Sequence, residues 1–146
     1  MDKLTNNNDK KTFTEILNRT TKEIFREALV LDDDQLMTNL LFADFQRKDI
    51  FDEYGELVSI APFVYEACPD LESIRKLANV KLEGYNEKFP SKKMNLVIFD
   101  DALFHLLKIA RIINTAGGNA LLVGVGGSGK QSLTKLSSYI CRQTFF

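Results

Sequence analysis

The stretch NALLVGVGGSGKQSLTKLSSYI, Asn119 to Ile140, sets out three physical elements in a row. NALLVGV is a near-continuous apolar run, the pattern of a strand covered on both faces as in parallel sheets. A glycine-rich loop follows from Gly124 to Lys130, and from Gln131 to about Cys141 the chain reads as a helix packing through Leu133, Leu136 and Ile140. Strand, loop, lysine and helix in this order are the parts of a phosphate site. Glycines let several backbone amides turn inward, the helix start adds its positive dipole end, and the lysine reaches the outer phosphates as a point charge.

Gly124, Gly129 and Lys130 satisfy G-x-x-x-x-G-K, and Gly126, Gly127 and Ser128 keep bulky side chains out of the loop interior. The candidate binding set is Gly124, Val125, Gly126, Gly127, Ser128, Gly129 and Lys130, with Gln131 and Ser132 at the helix start. The general pattern has Ser or Thr after the lysine, to hold magnesium through its hydroxyl; here Gln131 stands there and Ser132 comes one step later. Phosphate binding rests on backbone and lysine and survives this change, whereas metal positioning and hydrolysis are put in doubt. The same residues also match G-x-G-x-x-G through Gly124, Gly126 and Gly129, the dinucleotide fingerprint. That fold has no use for Lys130, and its first strand normally opens a domain.

Upstream, MNLVIF (Met94–Phe99) is rich enough in Val and Ile to be extended. DDALFHLLKIARII then places Leu103, Leu106, Leu107, Ala110 and Ile113 on one helical face, opposite Asp101, His105, Lys108 and Arg111. FPSKK (Phe89–Lys93) ends a helix and marks the main boundary. Before it, DLESIRKLANVKLEGYNEKF predicts a helix capped by Asp70, and DEYGELVSIAPFVY a short extended piece. From about Thr12 to Lys48, Phe13, Ile16, Leu17, Ile24, Phe25 and Leu29, then Leu36, Leu40, Leu41 and Phe45, recur at helical steps, with LDDD (Leu31–Asp34) between two helices. The expected organisation is a disordered tail over 1–11, a helical region over 12–90, and a loop-bearing part over 91–146. The fold class is α/β but mostly α-helical.

With 146 residues, 45% of them hydrophobic, the chain is long enough to bury a core. Its net charge of -1 comes from mixed acidic and basic residues, which argues against nucleic acid and membrane surfaces as partners. The start, MDKLTNNNDKK, lacks the apolar core of a signal peptide, and no apolar run approaches the roughly 20 residues that span a bilayer. A soluble chain is expected. Cys68 and Cys141 lie far apart in sequence and read as two reduced thiols.

Lesser signals take plain readings. His105 has no nucleophile at a recognisable spacing and reads as a solvated or capping histidine. LDDDQL fails the calcium-loop pattern at Leu36 and Met37, so no metal is implied there. NRT at Asn18 matches a glycosylation acceptor at chance frequency. Phe42, Phe45, Phe51, Phe63 and Tyr65 suit a core more than a partner surface.

MNLVIFDDALFHLLKIARIINTAGGNALLVGVGGSGKQSLTKLSSYI, Met94 to Ile140, resembles the start of the fourth AAA+ module of dynein heavy chains, the axonemal more than the cytoplasmic forms. Gln131 after the lysine is itself typical of that module. EIFREALVLDDDQLMTNLLFADF is similar to the closing helices of the third module, though the His-Glu pair usual before the position of Ile24 is not found. The resemblance implies a ring-shaped motor ATPase that walks on microtubules and bends cilia, with a fourth module that binds nucleotide in a regulatory role. It implies ATP or ADP at Gly124 to Ser132, with magnesium left open, and an adenine pocket lined by the stretch from Leu96 through Val97 and Ile98. The acidic Walker B strand, sensor residues, arginine finger, stalk and linker of such a motor do not occur in this sequence. The expectation is an incomplete P-loop NTPase fragment, the join of two modules, without ATPase activity on its own. Its implied partners are nucleotide and the other modules of the ring; intermediate chains, light chains and microtubules come only through the parent protein, in the cytoskeleton of a cilium or flagellum.

Two other readings remain. A standalone nucleotide-binding module needs Asn119–Val123 to pair with Met94–Phe99 or Leu57–Ile60. A helical interaction protein would carry the glycine loop idle.

Overall fold

The computed structural model describes residues 4–25 and 41–145. The chain divides into two compact units, Met1–Leu41 and Phe42–Phe146. In the first, α1 spans Asn7–Phe25 and so begins ahead of the expected start near Thr12. The Asn6 side chain accepts from the Asn8 amide at 2.9 Å, which supplies the start signal. The expected second helix through Leu36 and Leu40, with the LDDD break before it, lies outside the described residues.

The second unit holds three helices, α2 (Leu71–Lys88), α3 (Asp100–Asn114) and α4 (Lys130–Ile140), and four short strands, β1 (Phe42–Ala43), β2 (Ile50–Phe51), β3 (Leu57–Ser59) and β4 (Glu66–Ala67). The strands form two antiparallel pairs, β1 with β4 and β2 with β3. Phe45, placed by its spacing on a helix, sits in irregular chain after β1 and is buried. Tertiary pairing wins over periodicity here, because β1 joins β4 and the Gln46 amide donates to the carbonyls of Glu66 and Ala67 at 2.9 and 3.2 Å.

Each helix has a local cause. Asp70 caps α2, accepting from the Ser73 amide at 2.7 Å, as its position behind Pro69 predicts. The helix stops at Lys88, and a 3₁₀ turn over Pro90–Lys92 follows. Asp100 and Asp101 place negative charge on the first turn of α3, where the dipole favours it. The core is the seam of these helices: Ile74, Ala78, Leu82 and Tyr85 of α2, Leu103, Leu106, Leu107 and Ala110 of α3, and Leu133, Leu136 and Ile140 of α4. Ala102 and Ile109 are buried too, so the α3 stripe is wider than the spacing alone indicates. Because α2 and α4 meet, packing runs continuously across the Phe89–Lys93 stretch, and the division in packing falls after Leu41.

The expected core strand is not formed. Residues 119–125 carry no ladder hydrogen bonds, and neither do residues 94–99; among the described residues there is no parallel pair. Leu57–Ser59, one proposed partner, pairs with Ile50–Phe51 instead. The physical reason is that a strand is defined by its neighbours, and an apolar run without one has no ladder to join.

Two predictions come from this packing. A Cβ at Gly118 would run into the carbonyl oxygen of Ile112, whereas one at Gly126 meets nothing within 4 Å. Gly118→Ala should therefore cost more than about 1 kcal/mol in a denaturant titration, and Gly126→Ala should stay within about 0.5 kcal/mol. Burial pushes the Cys68 thiol up to about 11 and Cys141 to about 12. An unfolded thiol ionises near pH 8.5, so this contribution to stability is constant below that pH. It should be lost as pH rises toward 11 to 12, which the unfolding midpoint followed from pH 7 to 11 would show.

Candidate functional site

Gly129 forms the junction between loop and helix. Its φ of 75° lies in the left-handed region, where glycine carries no Cβ penalty, and its carbonyl accepts from the Leu133 amide at 2.9 Å to start α4. No side chain caps this helix start, so the amides of its first turn remain available to an anion. Lys130 is the first residue of α4. Its ammonium folds back over the loop and donates to the carbonyls of Gly124 at 2.8 Å and Val125 at 2.6 Å, and to Ser128 Oγ at 2.8 Å. These use all three of its N–H donors. A Cβ at Gly124 would lie 3.3 Å from the lysine nitrogen, a tight approach that a bare glycine avoids.

The structure thus brings Gly124, Val125, Ser128, Gly129 and Lys130 together. Gly126 and Gly127 form the exposed outer turn, Gln131 is exposed, and Ser132 is half-buried on the first turn of α4. Val97 and Ile98 do not converge on one surface: Ile98 is buried in the core, and Val97 faces outward. His105 is exposed beside Asp101 and Lys108, as its helical position predicts. No group of His, Cys, Asp or Glu residues suited to a metal ion occurs among the described residues.

Two further features frame the loop: the turn after α3, and a clamp on Met94 that sequence reasoning did not single out. Thr115 and Gly118 form the turn after α3, with the Gly118 amide donating to Thr115 at 2.8 Å. Asn86 of α2 brackets Met94, donating to its carbonyl at 3.0 Å and accepting from its amide at 2.8 Å, as a neighbouring strand would. Beyond this clamp the chain alternates, with Met94 and Ile98 buried and Asn95, Val97 and Phe99 exposed. On the other segment Leu121, Val123 and Val125 are 90, 86 and 78% exposed. Asn86 had only a bland signal, a polar residue late in an amphipathic helix. No helix among the described residues is long and apolar enough to cross a membrane.

Residues 94–146 match the family model described as "P-loop containing dynein motor region D4". The chain is 48% identical over 109 residues, 72% of its length, to dynein axonemal heavy chain 5 of Mus musculus. It is 40% identical over 140 residues, 96% of its length, to dynein axonemal heavy chain 6 of Homo sapiens. Over 139 residues, 94% of its length, it is 41% identical to the Dynein-1-alpha heavy chain, flagellar inner arm I1 complex, of Chlamydomonas reinhardtii. These matches span only 2 to 3% of the relatives' own lengths. The chain is a segment of the axonemal dynein heavy chain family.

The exposed apolar run should contribute little to the stability of the chain by itself. Changing Leu121 and Val123 together to Lys should shift its unfolding free energy by no more than about 0.5 kcal/mol. Leu136→Ala, in the sealed core, should cost about 2–5 kcal/mol by the same denaturant titration.

Proposed function

We propose that this segment of an axonemal dynein heavy chain is the nucleotide-binding start of the fourth AAA+ module, preceded by the closing helices of the third. The observation that carries the reading is the folding of Lys130 over a glycine loop at an uncapped helix start, inside the residues that match a family described as P-loop containing. In this reading Gly124 to Lys130 hold the phosphates of ATP or ADP through backbone amides and the lysine, Gln131 and Ser132 flank them, and of the pair expected near the base only the exposed Val97 is free to face it, Ile98 being part of the core behind. The cradle fits such a group: the space above Gly126 is open, and Lys130 rests on exchangeable partners, two carbonyls and a hydroxyl. The nucleotide supplies anionic oxygens that accept from these donors, and magnesium accompanies it only to the extent that Gln131 and Ser132 tolerate.

The role is binding in a regulatory site rather than hydrolysis, since Gln131 replaces the magnesium-binding hydroxyl. The exposed Leu121, Val123 and Val125 support a sheet completed by other strands of a longer protein. Through that protein the segment would share the work of a microtubule motor in the axoneme of a cilium or flagellum, beside the other ring modules.

The test is equilibrium binding of a fluorescent ATP analogue, with and without magnesium. The expected result is saturable binding weakened at least about tenfold by Lys130→Ala, and little changed by removing the metal. Binding indifferent to Lys130→Ala would instead favour a helical interaction protein with an idle loop.

A further inference from the structure

We propose a second anion site, remote in composition from the glycine loop, that takes a small molecule joining a phosphate monoester to a planar ring. It is the cavity of about 500 Å³ at the C-terminal ends of α2 and α4, whose wall includes Lys88, Phe89, Lys92, Tyr139, Arg142 and Phe145. That volume lies in the usual range for small-ligand sites. None of residues 124–132 lines it.

The charges favour an anion. Lys88, Lys92 and Arg142 bring three positive groups to the wall against the single carboxylate of Asp49. Arg142 spends its charge on Asp49 at 2.9 Å. Among the described residues, neither Lys88 nor Lys92 has a carboxylate within ion-pair distance. Their ammonium groups stand over rings instead: Lys88 lies 5.7 Å from the Phe89 centroid and 5.9 Å from that of Tyr139, and Lys92 lies 5.9 Å from that of Phe145. Such contacts at an exposed rim are weaker than a charge-assisted bond to phosphate. Burial raises the Tyr139 phenol and nearby Glu87 adds to it, but Glu87 does not line the cavity.

The rings favour a planar body. Phe89 meets Tyr139 at 82° and Phe145 at 70°, with centroids 6.4 and 5.8 Å away. Tyr85 packs against all three from the core at 5.1 to 6.0 Å, which fixes their places. A ligand ring entering here gains edge and face contacts, while its phosphate reaches the two lysines.

Phenyl phosphate is the probe, titrated into the full chain and followed by NMR at the rings of Phe89, Tyr139 and Phe145, with inorganic phosphate and phenol as separate arms. The expected result is binding at least about tenfold tighter than either half alone. A Lys88→Gln, Lys92→Gln double variant should lower it by a similar factor. Both lysines are exposed, and circular dichroism should show the helices unchanged. Lys130→Ala should leave it intact, whether or not the glycine loop binds ATP. No binding, equal binding of inorganic phosphate, indifference to the double variant, or loss with Lys130→Ala would each overturn the proposal.

Discussion

The apolar seam between α3 and α4 is the contact on which the neighbourhood of the glycine loop depends. Leu103, Leu106 and Ala110 on one helix and Leu136 and Ile140 on the other are removed from water, and Cys141 adds a thiol contact to the Ala110 carbonyl at 3.5 Å. Each large side chain so buried stabilises by about 1.5–3 kcal/mol relative to exposure. This seam fixes both ends of the intervening chain, so residues 115–129 need few contacts of their own. The start of α4, and with it Lys130, is placed by packing that begins at Leu133, downstream of the lysine, rather than by anything inside the loop.

A second support comes from α2, which reaches both the seam and the segment before α3. Tyr85 is fully buried between Phe89, Tyr139 and Phe145, and the next residue, Asn86, clamps Met94. The helix therefore seals the core with one side chain and substitutes for a β neighbour with the one after it. Arg75 extends the same tie by pairing with Asp100 at the start of α3. The result is a chain whose helices are settled while its two most strand-like stretches keep one apolar face in water.

The helices were legible in the sequence because their causes are local. Asp70 behind Pro69, the paired aspartates that open α3 and the Leu133, Leu136, Ile140 stripe each act within a few residues, and each is where the spacing places it. The glycine loop and its lysine were legible for the same reason. What failed was anything that needs a distant partner. NALLVGV has the composition of a core strand, but composition cannot supply the neighbouring strand that makes one. Phe45 has helical spacing to Leu41, yet β1 pairs with β4. Gly118 reads as an ordinary turn glycine, and only the position of the Ile112 carbonyl reveals that no other residue fits comfortably. The Asn86 clamp and the Arg142 contacts cross 8 and up to 93 residues, which no periodicity encodes.

Arg142 follows the last turn of α4 with a φ of 55°, left-handed and costly for a residue with a side chain. Its guanidinium bonds to Asp49 and to the Ala61 carbonyl, each at 2.9 Å, and stacks 4.7 Å from the Phe63 ring. One residue thus rivets the end of α4 to the β2–β3 hairpin region. A tug or twist applied to the chain past α4 is then shared between helix and hairpin instead of unwinding the last turn alone.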